Sequence, residues 1–147
     1  MKNTKHISIF LFGVILISIL TSCGHSGYEE KDGKIYHKWF HGGNWSKENS
    51  LVKEADPASF EEIKNNLNID LAKDKKHVFI NSAILNEADP LTFFQIQDYY
   101  WKDQNNVFLL QFGSQRQIVK NADPKSFQLL DQNLWAKDNN HVFYMFD

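Results

Sequence analysis

Histidine side chains are the first residues of this 147-residue chain to consider for acid–base chemistry or metal binding. His37 and His41 lie four residues apart, close to Gly42 and Gly43. A zinc ion in a protein needs three or four ligands, and only His25 could supply a further imidazole from nearby. The sequence therefore predicts neither a metal site nor any other cofactor.

Two further histidines occupy the same position of a repeated segment. His77 and His141 both precede a Val-Phe pair, and a third copy of the segment has Asn106 at this position. Histidine and asparagine are among the residues most enriched at positive φ. We therefore expect all three to be turn residues with a left-handed backbone, and not metal ligands.

Aspartates recur at two other positions of the repeat and could act as general acids or bases. They are Asp56, Asp89 and Asp123, each before a proline, and Asp74, Asp103 and Asp138, each after a lysine. A glycoside hydrolase needs two carboxylates with different pKa values that face one cleft. Acids that recur with a repeat are spread along the chain, and no nucleophile motif or phosphate-binding glycine loop accompanies them. We expect a protein that is not an enzyme, with a small envelope hydrolase or metal-dependent enzyme as the alternative.

Aromatic side chains form the remaining candidate site. Trp39, Phe40 and Trp45 cluster with His37 and His41 in the segment that departs most from the repeat. Amphipathic rings on a loop often contact sugars or protein partners, but the same rings could simply cap the end of a core. We take these five residues as candidate ligand or partner contacts.

The N-terminus has the three zones of an export signal. Lys2 and Lys5 precede a nearly continuous apolar run from Ile7 to Leu20. This run is shorter than the roughly 20 residues that a membrane-spanning helix needs, and small polar residues follow it. The segment Leu-Thr-Ser-Cys that ends at Cys23 resembles the bacterial lipobox, in which the cysteine receives a lipid and becomes the first mature residue.

This resemblance predicts where the protein is located. Residues 1–22 would be a lipoprotein signal peptide, Cys23 the lipidation site and residues 23–30 a lipidated cysteine with a short tether. Two acyl chains anchor a protein stably, so we expect a location in the bacterial cell envelope, tethered to a membrane and facing the periplasm or the exterior. The alternatives are an ordinary cleaved signal with an incidental cysteine, and a short membrane anchor that is retained.

The rest of the chain consists of repeated units, and the fold of these units determines where the candidate residues lie. Ala-Asp-Pro begins at Ala55, Ala88 and Ala122, at intervals of 33 and 34 residues, and a partial copy begins at Lys31. Each Ala-Asp-Pro is followed by a phenylalanine, then by Lys-Asp and Val-Phe. Asp before Pro predicts a capped short helix, with the alanine and the phenylalanine packed together as a hydrophobic staple. Lys-Asp predicts a hairpin with an Asx-turn.

These elements predict an α+β fold, with antiparallel β-meander and hairpin repeats and short helices. About three and a half repeats would form one domain over residues 31–147. The partial copy has Asp32-Gly33, a strong signal for a two-residue hairpin. The 16 basic and 18 acidic side chains give a net charge of −2, which argues against nucleic acid as a partner. A single cysteine excludes a disulfide framework.

The repeated segments also resemble a known family. KDKKHVF (73–79), KDQNNVF (102–108) and KDNNHVFYM (137–145), with ADPASF, ADPLTF and ADPKSF between them, resemble the DKNYY family of bacterial envelope repeat proteins. The resemblance implies a secreted or lipid-anchored protein and supplies no catalytic residues. We therefore expect a non-catalytic binding or scaffold module, whose partners are the membrane, through the lipid, and an envelope protein or glycan. An inhibitor or immunity-like partner of a secreted protein is a further alternative.

Overall fold

The computed structural model describes residues 26–40, 47–67, 69–111, 116–130 and 135–144. Within these ranges the regular structure consists of β-strands in four antiparallel sheets. Sheet 1 contains β1 (Gly27–Lys31), β2 (Lys34–Phe40) and β3 (Lys47–Leu51), and sheet 2 contains β4 (Glu61–Ile63), β5 (Leu71–Lys73), β6 (Val78–Ile80) and β7 (Ala83–Ile84). Sheet 3 contains β8 (Phe94–Gln97), β9 (Tyr100–Lys102), β10 (Val107–Leu110) and β11 (Arg116–Ile118), and sheet 4 contains β12 (Gln128–Leu129), β13 (Trp135–Lys137) and β14 (Val142–Tyr144).

Each complete unit of the repeat is a four-stranded meander in chain order, as in sheets 2 and 3. Just past the fourth strand of these sheets, Leu85 N–H donates to the Val78 carbonyl (2.8 Å) and Val119 N–H donates to the Val107 carbonyl (2.9 Å). The equivalent bond in sheet 1 joins Val52 N–H to the Ile35 carbonyl (2.9 Å), so β2 and β3 correspond to the third and fourth strands of a unit. Sheet 4 follows an Ala-Asp-Pro segment and corresponds to the first three strands.

Consecutive sheets pack face to face, and each pair shares one hydrophobic cluster. Side chains of a strand alternate between its two faces, so Val78 packs towards sheet 3 and Phe79 packs towards sheet 1. Tyr100 of sheet 3 likewise packs towards sheet 4, whereas Trp101 packs towards sheet 2. The core is therefore a series of layers between sheets, as in a solenoid in which each repeat contacts its neighbours.

The expectation of an α+β fold with three short helices is wrong, because the described residues form an all-β structure. Each Asp-Pro step makes a single turn, closed by a bond such as Ser59 N–H to the Asp56 carbonyl (3.1 Å). The first turn of a helix costs conformational entropy, because it fixes several dihedral angles for one hydrogen bond. Only further helical residues, each adding a hydrogen bond, would make the helix stable. The residues after Phe60 pair with the next strand instead, as Ile63 does with Leu71. The staple contacts still form, since Ala88 and Phe93 lie in the same cluster.

The hairpin predictions are partly confirmed. Asp32 and Gly33 have φ values of 52° and 68°, as the predicted two-residue turn requires. His77, Asn106 and His141 do not have positive φ, so their assignment as left-handed turn residues is wrong. Their carbonyl groups accept the N–H of the aspartate that begins each turn, which closes a four-residue loop without that conformation.

None of the described elements is a helix that is long and apolar enough to cross a membrane.

Candidate functional site

The aspartates of the Lys-Asp turns have both carboxylate oxygens engaged by backbone N–H groups. In sheet 2, Asp74 Oδ1 accepts from the N–H groups of Lys76 and His77, each at 2.7 Å. Asp74 Oδ2 accepts from the N–H of Asp56 at 2.9 Å, which joins the hairpin turn to the Asp-Pro turn before it. We call Asp74 and its counterparts Asp103 and Asp138 the clamp aspartates. Their predicted Asx-turns are confirmed, and the bond to the Asp-Pro turn adds a tertiary contact that sequence reasoning did not predict.

The other two clamp aspartates make the same contacts. Asp89 N–H donates to Asp103 Oδ2 at 2.8 Å, and Asp123 N–H donates to Asp138 Oδ2 at 2.9 Å. The N–H of Asp123 is the largest influence on Asp138 and, with the turn N–H groups, lowers its pKa to about 2. Burial raises the pKa of Asp74, but its three N–H donors outweigh this, and the pKa is lowered. A carboxylate held ionised by N–H donors has no proton to give, so these two groups are poor general acids.

The aspartates of the Asp-Pro turns have a structural partner of their own. Ser59, Thr92 and Ser126 donate their hydroxyl groups to the aspartate three residues earlier, at 2.7, 2.8 and 2.6 Å. The other carboxylate oxygen of each aspartate accepts the backbone N–H two residues on, as in Ala58 to Asp56 (3.1 Å). The six recurring aspartates are therefore distributed over three separate turn pairs and do not converge on one pocket.

A partly buried polar cluster joins sheets 1 and 2. His37 lies on β2 and is 4% exposed, and its Nε2 lies 2.8 Å from Oδ2 of Asp70, the residue before β5. The hydroxyl of Tyr28 on β1 donates to the Asp70 carbonyl at 2.9 Å, and the Tyr28 ring lies 5.3 Å from the imidazole. Tyr28 and His37, which are opposite each other in the β1–β2 hairpin, therefore meet Asp70 of the next unit at the first interface between sheets. We call Tyr28, His37 and Asp70 the polar cluster.

The electrostatics of the polar cluster favour a charged Asp70. Burial raises the pKa of its carboxyl group, but the hydrogen bonds from His37 and Ser26 and the charge of the imidazole outweigh that effect, and the pKa is lowered. Burial raises the pKa of Tyr28, and the nearby carboxylates of Asp70 and Glu62 raise it further. Tyr28 therefore stays a neutral hydrogen-bond donor.

The order of these groups differs from that of a catalytic triad. In a triad the histidine lies between the nucleophile and the acid, so that it can take the proton of the nucleophile. In this cluster Asp70 contacts both Ser26 and His37, and His37 Nε2 is already engaged by the carboxylate. His37 Nδ1 is buried and has no hydrogen-bond partner among the described residues. The cluster can hold two sheets together, but it offers no activated nucleophile.

The aromatic candidates are only partly described. Trp39 is half-buried, and its ring lies 5.7 Å from that of His37, so the structure brings these two residues together. Phe40 ends β2 and pairs with Lys47 through the backbone. His41 and Trp45 lie outside the described residues, as does the lipidation candidate Cys23.

Tyr28 and Asp70 were missed by sequence reasoning, although the repeat contains a signal for one of them. Asp70 precedes β5, where the next unit has Tyr99 before β9. His37 occupies the third-strand position that is Ile80 in sheet 2 and Leu109 in sheet 3. Two polar replacements at apolar positions of adjacent units predict a pair, and comparing the units position by position would have found it.

A groove of about 1120 Å³ lies along sheets 2, 3 and 4 and was also missed. Its walls include Ile118, Val119 and Lys120 at the end of sheet 3, and Val142 and Tyr144 on β14. Val142 is 64% exposed, whereas Val78 and Val107, at the same position of the preceding units, are fully buried. Sheet 4 thus leaves uncovered an apolar position that the other units bury.

The comparisons with known proteins give a family. A family model described as the DKNYY family matches residues 3–112 and 100–147, which together span nearly the whole chain. No curated protein and no solved structure matches the chain.

Proposed function

The chain belongs to the DKNYY family, and from this premise we propose that it is a non-catalytic binding or scaffold module, held at the bacterial cell envelope by a lipid on Cys23. The observation that carries the proposal is the use of the recurring carboxylates. The clamp aspartates bond to backbone N–H groups, and the aspartates of the Asp-Pro turns bond to their own turns. Carboxylates that hold turns together through hydrogen bonds are not available for catalysis. The exposed apolar side chains of sheet 4, by contrast, are available to contact a partner.

The lipid anchor is tested by changing its attachment site. Cys23→Ser in the full chain removes the thiol that would carry the lipid, so the protein should leave the membrane fraction. The measurement is the distribution of the protein between membrane and soluble fractions of the producing cells. Ser22→Ala is the matched control, because it keeps a small residue before an intact cysteine and should leave the distribution unchanged. If Cys23→Ser partitions like the unchanged chain, the anchor assignment is wrong.

The binding role is tested with the aromatic candidates. Trp39→Ala and Trp45→Ala each remove a large ring of the kind that dominates protein and sugar interfaces. In a pull-down of envelope extract with the full chain as bait, a specifically captured protein or glycan should be lost with one or both variants. Tyr36→Ala, a change of another ring on β2, is the control for general loss of aromatic surface. Equal capture by all four proteins would show that the aromatic segment makes no contact.

A further inference from the structure

Sheet 1 has one face that packs against sheet 2 and one face that is turned away from it. Tyr28, Ile35 and Val52 belong to the cluster shared with sheet 2. Because side chains alternate between the two faces of a strand, the residues next to these three lie on the opposite face. We call this the outer face of sheet 1. Its members include Glu29, Lys31, Lys34, Tyr36, Lys38 and Leu51, which the pairing of the three strands brings together.

The outer face is rich in lysine. Lys31 and Lys34 are opposite each other beside the β1–β2 turn, and both are exposed. Lys38 Nζ lies 3.2 Å from Oε2 of Glu29, so the one acid named on this face balances one of the three lysines. The ammonium groups of Lys31 and Lys34 therefore give the outer face a net positive charge.

The remaining acids of the hairpin lie outside the outer face. Glu30 is opposite Ile35, which packs towards sheet 2, so the Glu30 side chain is on the other side of the sheet. Asp32 is a turn residue, with a φ of 52°, at the end of the hairpin. The chain as a whole has a net charge of −2, so the positive charge of the outer face is a local property.

An apolar pair lies between these charges. Tyr36 is opposite Leu51, and Leu51 is 42% exposed. Tyr36 is half-buried, and a tyrosine ring combines an apolar body with a polar hydroxyl group. Side chains of this kind suit the boundary between lipid headgroups and water, where one end is in an apolar environment and the other is hydrated.

The proposed lipid site is close to the outer face along the chain. Strand β1 begins at Gly27, four residues after Cys23. Four residues span at most about 14 Å when they are fully extended. A lipid on Cys23 therefore keeps sheet 1 near the bilayer surface, where lysines are attracted to anionic headgroups over a Debye length of about 8–10 Å.

We propose that the outer face of sheet 1 lies on the surface of a bilayer that contains anionic phospholipids. Lys31 and Lys34 bind lipid phosphates, and Leu51 contacts the headgroup region. So few lysines bind a bilayer weakly by themselves, but the tether keeps the face at a high local concentration, and a weak contact then suffices to orient the domain. The inference rests on the proposed lipid anchor and adds an orientation to it.

This orientation directs the far end of the stack away from the membrane. Stacked sheets lie about 10 Å apart, so sheet 4 is roughly 30 Å further from the bilayer than sheet 1. Ala136 and Phe143 pack towards sheet 3, so Trp135 and Val142 lie on the opposite face of sheet 4. Their exposed side chains are then accessible to a partner that approaches from outside the membrane.

Amine labelling of the lysines tests the contact. The full chain is purified in detergent from the membrane fraction and reconstituted into vesicles of phosphatidylcholine, either alone or with about 30% of the anionic lipid phosphatidylglycerol. A short pulse of acetic anhydride modifies accessible amines, and mass spectrometry measures the modified fraction of each lysine. Lys75 and Lys125, exposed turn residues of later units, are the internal controls.

We expect Lys31 and Lys34 to react about threefold more slowly on the anionic vesicles than on phosphatidylcholine, because ammonium groups bound to phosphate are shielded from the reagent. The difference should disappear in about 0.5 M NaCl, which screens the attraction. Lys75 and Lys125 should react equally on both kinds of vesicle.

A matched pair of variants tests whether the lysines act together. Lys31→Gln removes one charge of the outer face and should reduce the protection of Lys34 by about half. Lys75→Gln removes an exposed lysine from a different hairpin turn and should leave the protection of Lys34 unchanged. Both positions are exposed, so neither change should disturb folding, which thermal unfolding checks.

Equal labelling of Lys31 and Lys34 on the two kinds of vesicle would overturn the proposal, and so would equal protection of Lys125. Protection on phosphatidylcholine vesicles that appears only when envelope extract is added would assign the outer face to an acidic partner instead. Flotation of the vesicles separates the two proposals. A chain that floats with phosphatidylcholine vesicles but shows no protection keeps its anchor and loses only this orientation, whereas a chain that floats with neither overturns both.

Discussion

His37 and Asp70 are polar residues at an interface that the following units fill with apolar side chains. Ile80 and Leu109 occupy the position of His37 in sheets 2 and 3, and both are buried. A buried histidine–carboxylate pair contributes little net stability compared with well-packed apolar residues, but breaking it leaves a polar group without its partner. We therefore expect the pair to add little net stability to the stack, although each of its two members depends on the other.

A double-mutant cycle on this pair tests that interpretation. His37→Ile and Asp70→Leu should each lower the free energy of unfolding by about 1–3 kcal/mol, because each leaves its partner unsatisfied. The double variant should recover most of the loss, since it restores the apolar packing of the later interfaces. Urea unfolding of the four proteins measures the coupling. Additive losses would contradict the interpretation.

The same cycle has a pH dependence of known sign. The folded-state pKa of Asp70 is lowered, so its contribution to stability is complete above the unfolded value of about 3.9 and is lost as the pH falls through the folded value. The coupling between His37 and Asp70 should therefore be present at neutral pH and should shrink below about pH 4. Coupling that grows as the pH falls below about 4 would contradict this prediction.

The Asp-Pro turn is the element for which sequence and structure differ most. Asp before Pro, a hydroxyl residue three positions on and an apolar residue after it are the signals of a helix start. A single turn followed by a strand satisfies the same signals, so local sequence cannot separate the two. Whether a helix or a strand follows the turn depends on the pairing of the next residues, such as Glu62 with Ala72. This pairing needs a strand that lies ten residues further along the chain. The Asx-turns were predictable because each is settled within four residues.

Adjacent phenylalanines test whether the residue after the turn is a core residue of the sheet stack. Phe93 is buried and stacks on Trp101 with ring centroids 5.2 Å apart, whereas Phe94 is 51% exposed beneath Lys102. Phe93→Ala should cost about 3–5 kcal/mol in the free energy of unfolding, because it leaves a cavity between sheets 2 and 3. Phe94→Ala, the control, should cost less than about 1 kcal/mol, since it loses one exposed cation–π contact. Equal costs in chemical denaturation would contradict the assignment of Phe93 to the core and of Phe94 to the surface.

At the scale of the whole molecule, the repeat was predictable and its stacking was not. Three Ala-Asp-Pro copies at intervals of 33 and 34 residues reveal the units directly. The contacts between units depend on which face of its strand each side chain takes, and the pattern of the repeat does not show which faces meet. The polar cluster lies between sheets 1 and 2, whereas the interfaces between later sheets are filled by apolar side chains.

Hydrogen exchange of the backbone amides tests most directly the central claim that the recurring carboxylates serve the fold. The N–H groups of Asp56, Asp89 and Asp123 lie in turns but bond to buried clamp aspartates, so in the full chain they should exchange slowly. Asp103→Ala should remove the protection of the Asp89 amide and leave the other two protected. If all three amides exchange as fast as unprotected turn amides, or if Asp103→Ala has no effect on Asp89, the carboxylates do not have the structural role assigned to them.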